Sequence, residues 1–173
     1  MPHAFKIIDS PVGKLTLVAR EVKLAAVLWE IEKANRVKLG AMEQNNKLPI
    51  LCETERQLAE YFAGQRVTFE LELDFAGTDF QKKVWRALLT IPFGETRSYS
   101  DIARQIGNEK AVRAVGAANG RNPISIIAPC HRVIGMNGTL TGFAGGLEAK
   151  QILLRLEGSG IAQLKPPAQH ALF

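Results

Sequence analysis

At 173 residues, 46% hydrophobic and 23% charged, the chain has globular composition and room for one large domain or two small ones. No stretch of about 20 uninterrupted apolar residues occurs, which excludes a membrane-spanning helix. The first residues lack the basic run and apolar core of a signal peptide. Two cysteines, Cys52 and Cys130, cannot form a disulfide framework, so cytosolic thiols and a cytoplasmic location are the expectation. The net charge of +5 is uneven: residues 1–76 hold 10 basic against 11 acidic side chains, and residues 77–173 hold 12 against 6. A polyanion partner for the second half and ordinary solvated charge both fit that asymmetry.

In chain order, residues 5–8 and 14–18 read as two strands around the turn-rich Ser10-Pro11-Val12-Gly13, and residues 25–29 as a third. Residues 53–63 place Leu58, Tyr61 and Phe62 at helical spacing, with residues 54–57 as a capping box and Gly64 as the stop. Residues 69–73 alternate strictly, as a half-buried strand does. Cys52 reads as a small buried hydrophobe, and His3 and His170, near the termini, as exposed and idle. The fold expected is α+β. A small N-terminal α/β domain with a hairpin-rich sheet spans 1–76, and residues 74–77 serve as linker.

The remainder is expected to be mostly helical. Thr78 to Gln81 caps a helix carrying Phe80, Val84, Trp85, Leu88 and Leu89 on one broad face, ending near Pro92 and Gly94. A short helix over about 99–106 has Ser98 as its N-cap, and Gly107-Asn108 turns the chain into another over about 109–118. Helix, short turn, helix is helix-turn-helix spacing, although spacing alone favours a helical hairpin packed for stability. The second helix is almost bare of bulk at Ala111, Ala114, Gly116, Ala117 and Ala118, with Arg113 as a long cation near its middle. Residues 124–128 read as a short buried strand, Asn137-Gly138 as a hairpin turn, and 142–146 as a loop that a ligand could approach closely. A last helix over 147–157 ends at Gly158. The second domain is placed at 77–160 and a tail at 161–173; no repeats or low-complexity tracts occur.

Cys130 beside His131 is the chemical constellation. A thiol of ordinary pKa near 8.5 is only about 3% thiolate at pH 7, and a base that brings it near 6 raises that to about 90%. Glu157, in the last turn of its helix, faces the unfavourable end of the helix dipole, which suits a partner that is a cation or an imidazole. Cys130, His131 and Glu157 then fit the logic of nucleophile, base and orienter. A Cys-His dipeptide by itself is more often a structural feature, and alone it is weak evidence. Two cysteines and three histidines, with neither Cys-x-x-Cys nor His-x-x-x-His, leave no zinc site, and no phosphate-binding Gly-x-x-x-x-Gly-Lys-Ser/Thr occurs. No metal and no cofactor are expected.

The string Asn122-Pro123-Ile124-Ser125-Ile126-Ile127-Ala128-Pro129-Cys130-His131-Arg132-Val133 resembles the active-site signature of the O6-alkylguanine-DNA alkyltransferases, the methylated-DNA–protein-cysteine methyltransferases. Residues 113–117 resemble that family's recognition helix, and residues 98–100 the start of the helix before it. Residues 142–146 resemble its binding loop and 153–158 its closing helix. Residues 9–15 and 61–64 are similar to the bacterial branch, so the resemblance covers nearly the full chain.

The resemblance implies irreversible, single-turnover repair of DNA by direct damage reversal, with the alkyl group of O6-alkylguanine moved to Cys130 and O4-alkylthymine as a second candidate substrate. His131 would take the thiol proton and Glu157 would orient the imidazole. Asn122 would tie the recognition-helix segment to the active-site segment. Tyr99 would rotate the 3′ phosphate and offer its hydroxyl to guanine N3, and Arg113 would fill the gap left by the flipped base. Ala114, Gly116 and Ala117 would meet the minor groove of duplex DNA. Val133, Phe143, Ala144 and Ser125 would form the substrate pocket: the Ala144 N–H toward O6, and the carbonyls of Val133 and Cys130 toward the exocyclic amine. Departures occur at Ser125, where mammalian members have proline, and at Phe143 and Ala144, where some members have tyrosine and serine. The family's zinc ligands, found in some members, are missing. A monomer acting on DNA is expected. The rival readings are a non-reactive helix-turn-helix DNA binder of the same fold, whose members lack the acceptor cysteine, and a Cys-His hydrolase, which would turn over.

Overall fold

The computed structural model describes residues 2–136, 138 and 140–158. The chain divides into two units: residues 1–76 together with 123–125, and residues 77–122 together with the chain from 126 onward. The loop segment 123–125 therefore belongs with the first unit, away from its neighbours in sequence. The expected tail at 161–173, His170 and the Asn137 side of the 137–138 turn lie outside the described residues.

In the first unit β1 (His3–Ile8) pairs antiparallel with β2 (Leu15–Arg20), and β2 with β3 (Lys23–Trp29). The β1–β2 turn is held by Ser10, whose Oγ accepts from Val12 N at 3.1 Å and donates to Gly13 O at 2.6 Å. A short strand the sequence did not announce, β4 (Met42–Gln44), runs parallel to β1, giving the order β3-β2-β1-β4. Its three residues are all exposed, so it carries no apolar alternation to read. His3 is a member of β1, half-buried, with Nε2 buried; the expectation of an exposed terminal histidine is corrected.

Helix α1 (Pro49–Phe62) packs on this sheet and begins four residues before the expected start. Pro49 is its first residue, where the missing N–H costs nothing, and Leu48 precedes it without a side-chain cap. Thr54, read as a cap, is instead buried inside the helix with its hydroxyl on Ile50 O at 2.7 Å. Leu51, Leu58 and Tyr61 join Leu15, Leu17, Leu24 and Val27 in the core, while Cys52 is only half-buried and donates to Asn46 O at 3.3 Å.

Residues 69–73 are not a strand. They keep the alternation of half-buried and exposed side chains, but their one strand-like bridge is to Leu24, whose N donates to Glu72 O at 2.9 Å and whose O accepts from the following Asp74 N at 2.8 Å. The Gln57 amide takes a second share of this backbone, donating to Glu70 O at 3.1 Å and accepting from Glu70 N at 2.9 Å. Residues 124–128 are not a strand either. Ile124 makes one isolated bridge to Val27, and the chain then turns through Ile126 at φ 75°, a conformation costly for a β-branched residue.

The second unit starts at Gly77, where a Cβ would stand 2.6 Å from the Trp85 ring, so only glycine fits. Thr78 and Gln81 form the expected capping box on α2 (Asp79–Leu88). Val84, Trp85, Ala87 and Leu88 are buried; Leu89, expected on the core face, is 44% exposed because the helix has ended. A two-strand parallel pair absent from the sequence reading, β5 (Arg97–Ser98) with β6 (Val133–Ile134), sets the start of the next helix beside the active-site segment. Helices α3 (Tyr99–Gln105) and α4 (Val112–Gly120) follow, then α5 (Leu147–Leu156). No helix among the described residues is long and apolar enough to cross a membrane.

Candidate active site

Ser98 and Asp101 form a capping box on α3: Asp101 N donates to Ser98 Oγ at 3.0 Å and Ser98 N to Asp101 Oδ2 at 2.9 Å. That box fixes Tyr99 at the first position of the helix. Gly107, at φ 78°, turns the chain toward α4, a turn for which a left-handed residue is needed. Helices α3 and α4 pack closely enough that a Cβ on Gly116 would lie 3.9 Å from the Tyr99 ring. Trp85 Nε1 donates to Ala118 O at 2.8 Å, anchoring the end of α4 to α2.

Because α4 starts at Val112, Arg113 sits in its first turn and not near its middle. Arg113, Ala114 and Ala117 are exposed, Gly116 is half-buried and Ala118 is buried, so only part of the small-residue set faces outward, with the cation at one end. Lys110 and Arg121, just outside the two helix ends, are also exposed. Helix α4 thus offers small side chains and positive charge together.

Cys130 opens a 3-10 turn, Cys130–Arg132, that leads directly into β6. It is 2% exposed, and its N donates to Ala128 O at 2.8 Å. Asn122, fully buried at the end of the α4 segment, donates from Nδ2 to the same Ala128 carbonyl at 2.8 Å. His131 is fully buried, and its Nε2 lies 2.8 Å from Glu157 Oε2. Burial pushes the Glu157 carboxyl up, but hydrogen bonds from His131 and Arg132 outweigh this and hold it at about 2. An ionised carboxylate only accepts, so Nε2 carries the hydrogen and the neutral ring keeps its lone pair on Nδ1. That nitrogen is buried with no hydrogen-bond partner among the described residues. Burial pushes the imidazole below its ordinary value and so favours the neutral base, while Glu157 pulls the other way.

His131, next in sequence to Cys130, is thus paired with Glu157, and Asn122 shares the Ala128 carbonyl with the Cys130 N–H. Tyr99 lies on α3, and its hydroxyl shares a 2.6 Å hydrogen bond with Thr141 Oγ1; burial pushes its pKa up. Val133 is fully buried, and Phe143 and Ala144 are half-buried in the loop before α5. Ser125 is fully buried within the first unit, and its hydroxyl accepts from Trp29 Nε1 at 3.1 Å.

Two residues went unnoticed in the sequence. Lys150 is fully buried, with Nζ donating to Val133 O at 2.7 Å and lying 5.9 Å from the Phe143 ring centre. Burial brings its pKa down to about 8. The signal was a lysine at a position three after Leu147 and four before Leu154, inside the apolar stripe. Arg132 is the other, buried within the active-site string itself.

A buried thiol thus stands next in sequence to a buried His131–Glu157 pair, in the unit that also carries the α3–turn–α4 pair. A family model described as 6-O-methylguanine DNA methyltransferase, DNA binding domain, matches residues 79–159, and its companion, the ribonuclease-like domain, matches residues 4–75. A methylated-DNA–protein-cysteine methyltransferase of Mycolicibacterium paratuberculosis is 50% identical over 153 residues, covering 88% of this chain and 91% of the relative. That of Methanosarcina acetivorans is 50% identical over 155 residues, covering 90% and 98%. A crystal structure of Mycobacterium tuberculosis OGT in complex with DNA superposes with a TM-score of 0.84 at 48% identity, covering 90% of this chain and 93% of that one. This chain belongs to the 6-O-methylguanine DNA methyltransferase family. Membership brings the activity of a direct-reversal DNA repair protein, a methyltransferase whose acceptor is a cysteine of the protein itself.

Proposed function

We propose that Cys130 is the acceptor of that transfer and that each molecule works once. The observation that carries this is the His131 geometry: Nε2 held by Glu157, and a buried Nδ1 lone pair on the residue next to the thiol. The Cys130 thiol proton passes to His131, directly or through water. The sulfur then forms a bond to the alkyl carbon as the carbon–O6 bond breaks. The electron pair of that bond stays with the guanine, which is reprotonated, leaving guanine and an S-alkylcysteine. Water does not displace a thioether at useful rates, so the alkyl group stays.

The thiol is buried, so the lesion must leave the stack, and a base that pairs poorly is cheaper to extrude. Tyr99 would meet guanine N3, the Ala144 N–H would meet O6, and the carbonyls of Val133 and Cys130 would take the exocyclic amine. Such donors stabilise the departing anion as an oxyanion hole does. The exposed alanines of α4, with Arg113 among them, suit docking in the minor groove, where small side chains let the duplex approach. We place DNA binding and transfer in residues 77–160, in line with the family match over 79–159, and read the protein as a cytoplasmic monomer on DNA.

A non-reactive DNA binder of this fold is disfavoured by the presence of Cys130 with its relay assembled around it. The test is incubation with duplex DNA carrying labelled O6-methylguanine, followed by mass measurement of the peptide containing Cys130. One methyl equivalent on that peptide, and none in Cys130→Ala, is the expected outcome. Turnover past one equivalent would refute the single-use reading.

A further inference from the structure

Arg132 has no part in the chemistry above, yet its guanidinium is spent almost entirely on one member of the relay. It is 6% exposed; Nε donates to Glu157 Oε1 at 2.8 Å and Nη2 to Glu157 Oε2 at 2.9 Å. Nη1 donates to Ile91 O at 2.6 Å, and the Phe93 ring centre lies 5.8 Å from Cζ. The guanidinium is thus fixed on three sides, with its fork closed on both carboxylate oxygens. His131 reaches the same Oε2.

Consider the carboxylate without that fork. A buried anion whose nearest neighbour is an imidazole draws a second proton onto the ring, because the ion pair is better than a lone buried charge. An imidazolium has two N–H donors and no lone pair, so it cannot receive a thiol proton. A guanidinium does not deprotonate, and it meets both carboxylate oxygens in one plane. With the charge of Glu157 already answered, the ring can stay neutral while still being oriented.

We propose that Arg132 is a positioning residue for alkyl transfer: by engaging both oxygens of Glu157 it keeps His131 a neutral, correctly turned base with Nδ1 able to accept the Cys130 proton. The inference rests on reading His131 as the proton acceptor. The charged groups that bear on the ring are few. Glu157, which caps α5, raises its basicity; Arg132 from the ring's own turn and Lys150 from α5 lower it. On α2, which also packs against the turn, Asp79, Lys83 and Arg86 are exposed and Lys82 is half-buried. Removing Arg132 takes away a cation and leaves the anion, so the ring must become more basic.

The experiment follows the His131 ring by NMR across pH, without DNA, and separately measures the pH profile of single-turnover transfer. Arg132→Met should raise the midpoint of the ring by about one pH unit or more, and the acid limb of the rate profile should move up with it. Within the shifted interval transfer should then be slower than in the parent, and it should recover at higher pH. Arg132→Lys keeps the charge but cannot grip both oxygens, so it should move both quantities the same way by less. A folded Arg132→Met protein with an unmoved ring midpoint would overturn the proposal. Should the methionine variant fail to fold, Arg132→Lys decides by the same criterion, since a purely structural arginine would change stability and not the midpoint. The ring titration needs no substrate, so a shifted ring in a protein that transfers nothing would count against the alkyl-transfer reading and leave the role of Arg132 standing.

Discussion

The carbonyl of Ala128 accepts two hydrogen bonds of 2.8 Å each, one from the Asn122 side chain and one from the backbone N–H of Cys130. Asn122 closes the α4 segment and Cys130 opens the reactive turn, so one oxygen joins the helix that would meet DNA to the residue that would do the chemistry. Between them the chain makes its excursion through 123–125 and the strained turn at Ile126, and this shared acceptor pins the return.

Asn122→Ala should therefore destabilise the protein by about 1–3 kcal/mol, the range for a lost buried hydrogen bond. Asn122→Asp should cost more, because it sets a carboxylate against a carbonyl. Transfer should slow in both variants by a larger factor than DNA affinity falls. Urea denaturation and single-turnover rates check this; two variants within 0.5 kcal/mol of the parent, an error-sized change of roughly that order, would show that Asn122 is not a tie.

Glu157 gives an acid-side prediction. Its carboxyl is held near 2, below the ordinary value of about 4.3 for an unfolded glutamate. The folded group is depressed, so its contribution is complete above about pH 4.3 and is lost as pH falls toward 2. The shift corresponds to roughly 3 kcal/mol at most. The stability gap between the parent and Glu157→Gln should be constant near neutrality and narrow steadily below that window in acid urea titrations. Glu157→Gln should also slow transfer by more than it weakens DNA binding. An unchanged rate would leave Glu157 a structural role alone.

Lys150 gives the opposite window. Burial lowers its pKa from 10.5 to about 8, so the unfolded chain holds that proton more tightly than the folded one. The charge opposes folding fully below pH 8 and ceases to as pH rises through the interval to 10.5. Against Lys150→Met, whose lost bond to Val133 O does not depend on pH, the parent should gain up to roughly 3 kcal/mol across that interval. Denaturation midpoints of the pair at a series of pH values decide it, and a flat difference would mean that Lys150 holds its proton as tightly in the fold as in the unfolded chain.

Much of this arrangement was legible in the residues. The cap at Thr78, the N-cap at Ser98 and the apolar spacing of α2 and α5 are local, and local physics sets them. The misread segments are those whose partners are distant. Residues 69–73 alternate like a strand, but α1 satisfies their backbone through Gln57 and a ladder never forms. Residues 124–128 are apolar enough for a strand, yet Ile126 adopts a turn that no propensity favours, a conformation that the surrounding fold must hold in place. Within the site, Glu157 drew notice because it opposes its helix dipole, whereas Arg132 and Lys150 look like ordinary surface cations until burial is known.

A proposed role for Arg113, filling the gap left by a flipped base, can be tested apart from bond making. The residue is exposed in the first turn of α4, where a cation faces the positive end of the helix dipole, so helix stability gives no reason for it. Its neighbours Ala114 and Ala117 are exposed and too short to reach into a stack. Extruding a nucleotide costs a few kcal/mol, and a planar guanidinium that fills the gap recovers part of that. Arg113→Ala should thus lower transfer from duplex DNA by roughly tenfold or more, at about 1.4 kcal/mol per decade. A free base such as O6-benzylguanine has no stack to leave, so its reaction with Cys130 should scarcely change in the same variant. Arg113→Lys should restore only part of the duplex rate, since it returns the charge without the flat surface. The comparison is made with single-turnover rates on both substrates, alongside the thermal midpoint of each variant. Equal slowing on free base and duplex would move Arg113 from the flipping step to the pocket or the fold.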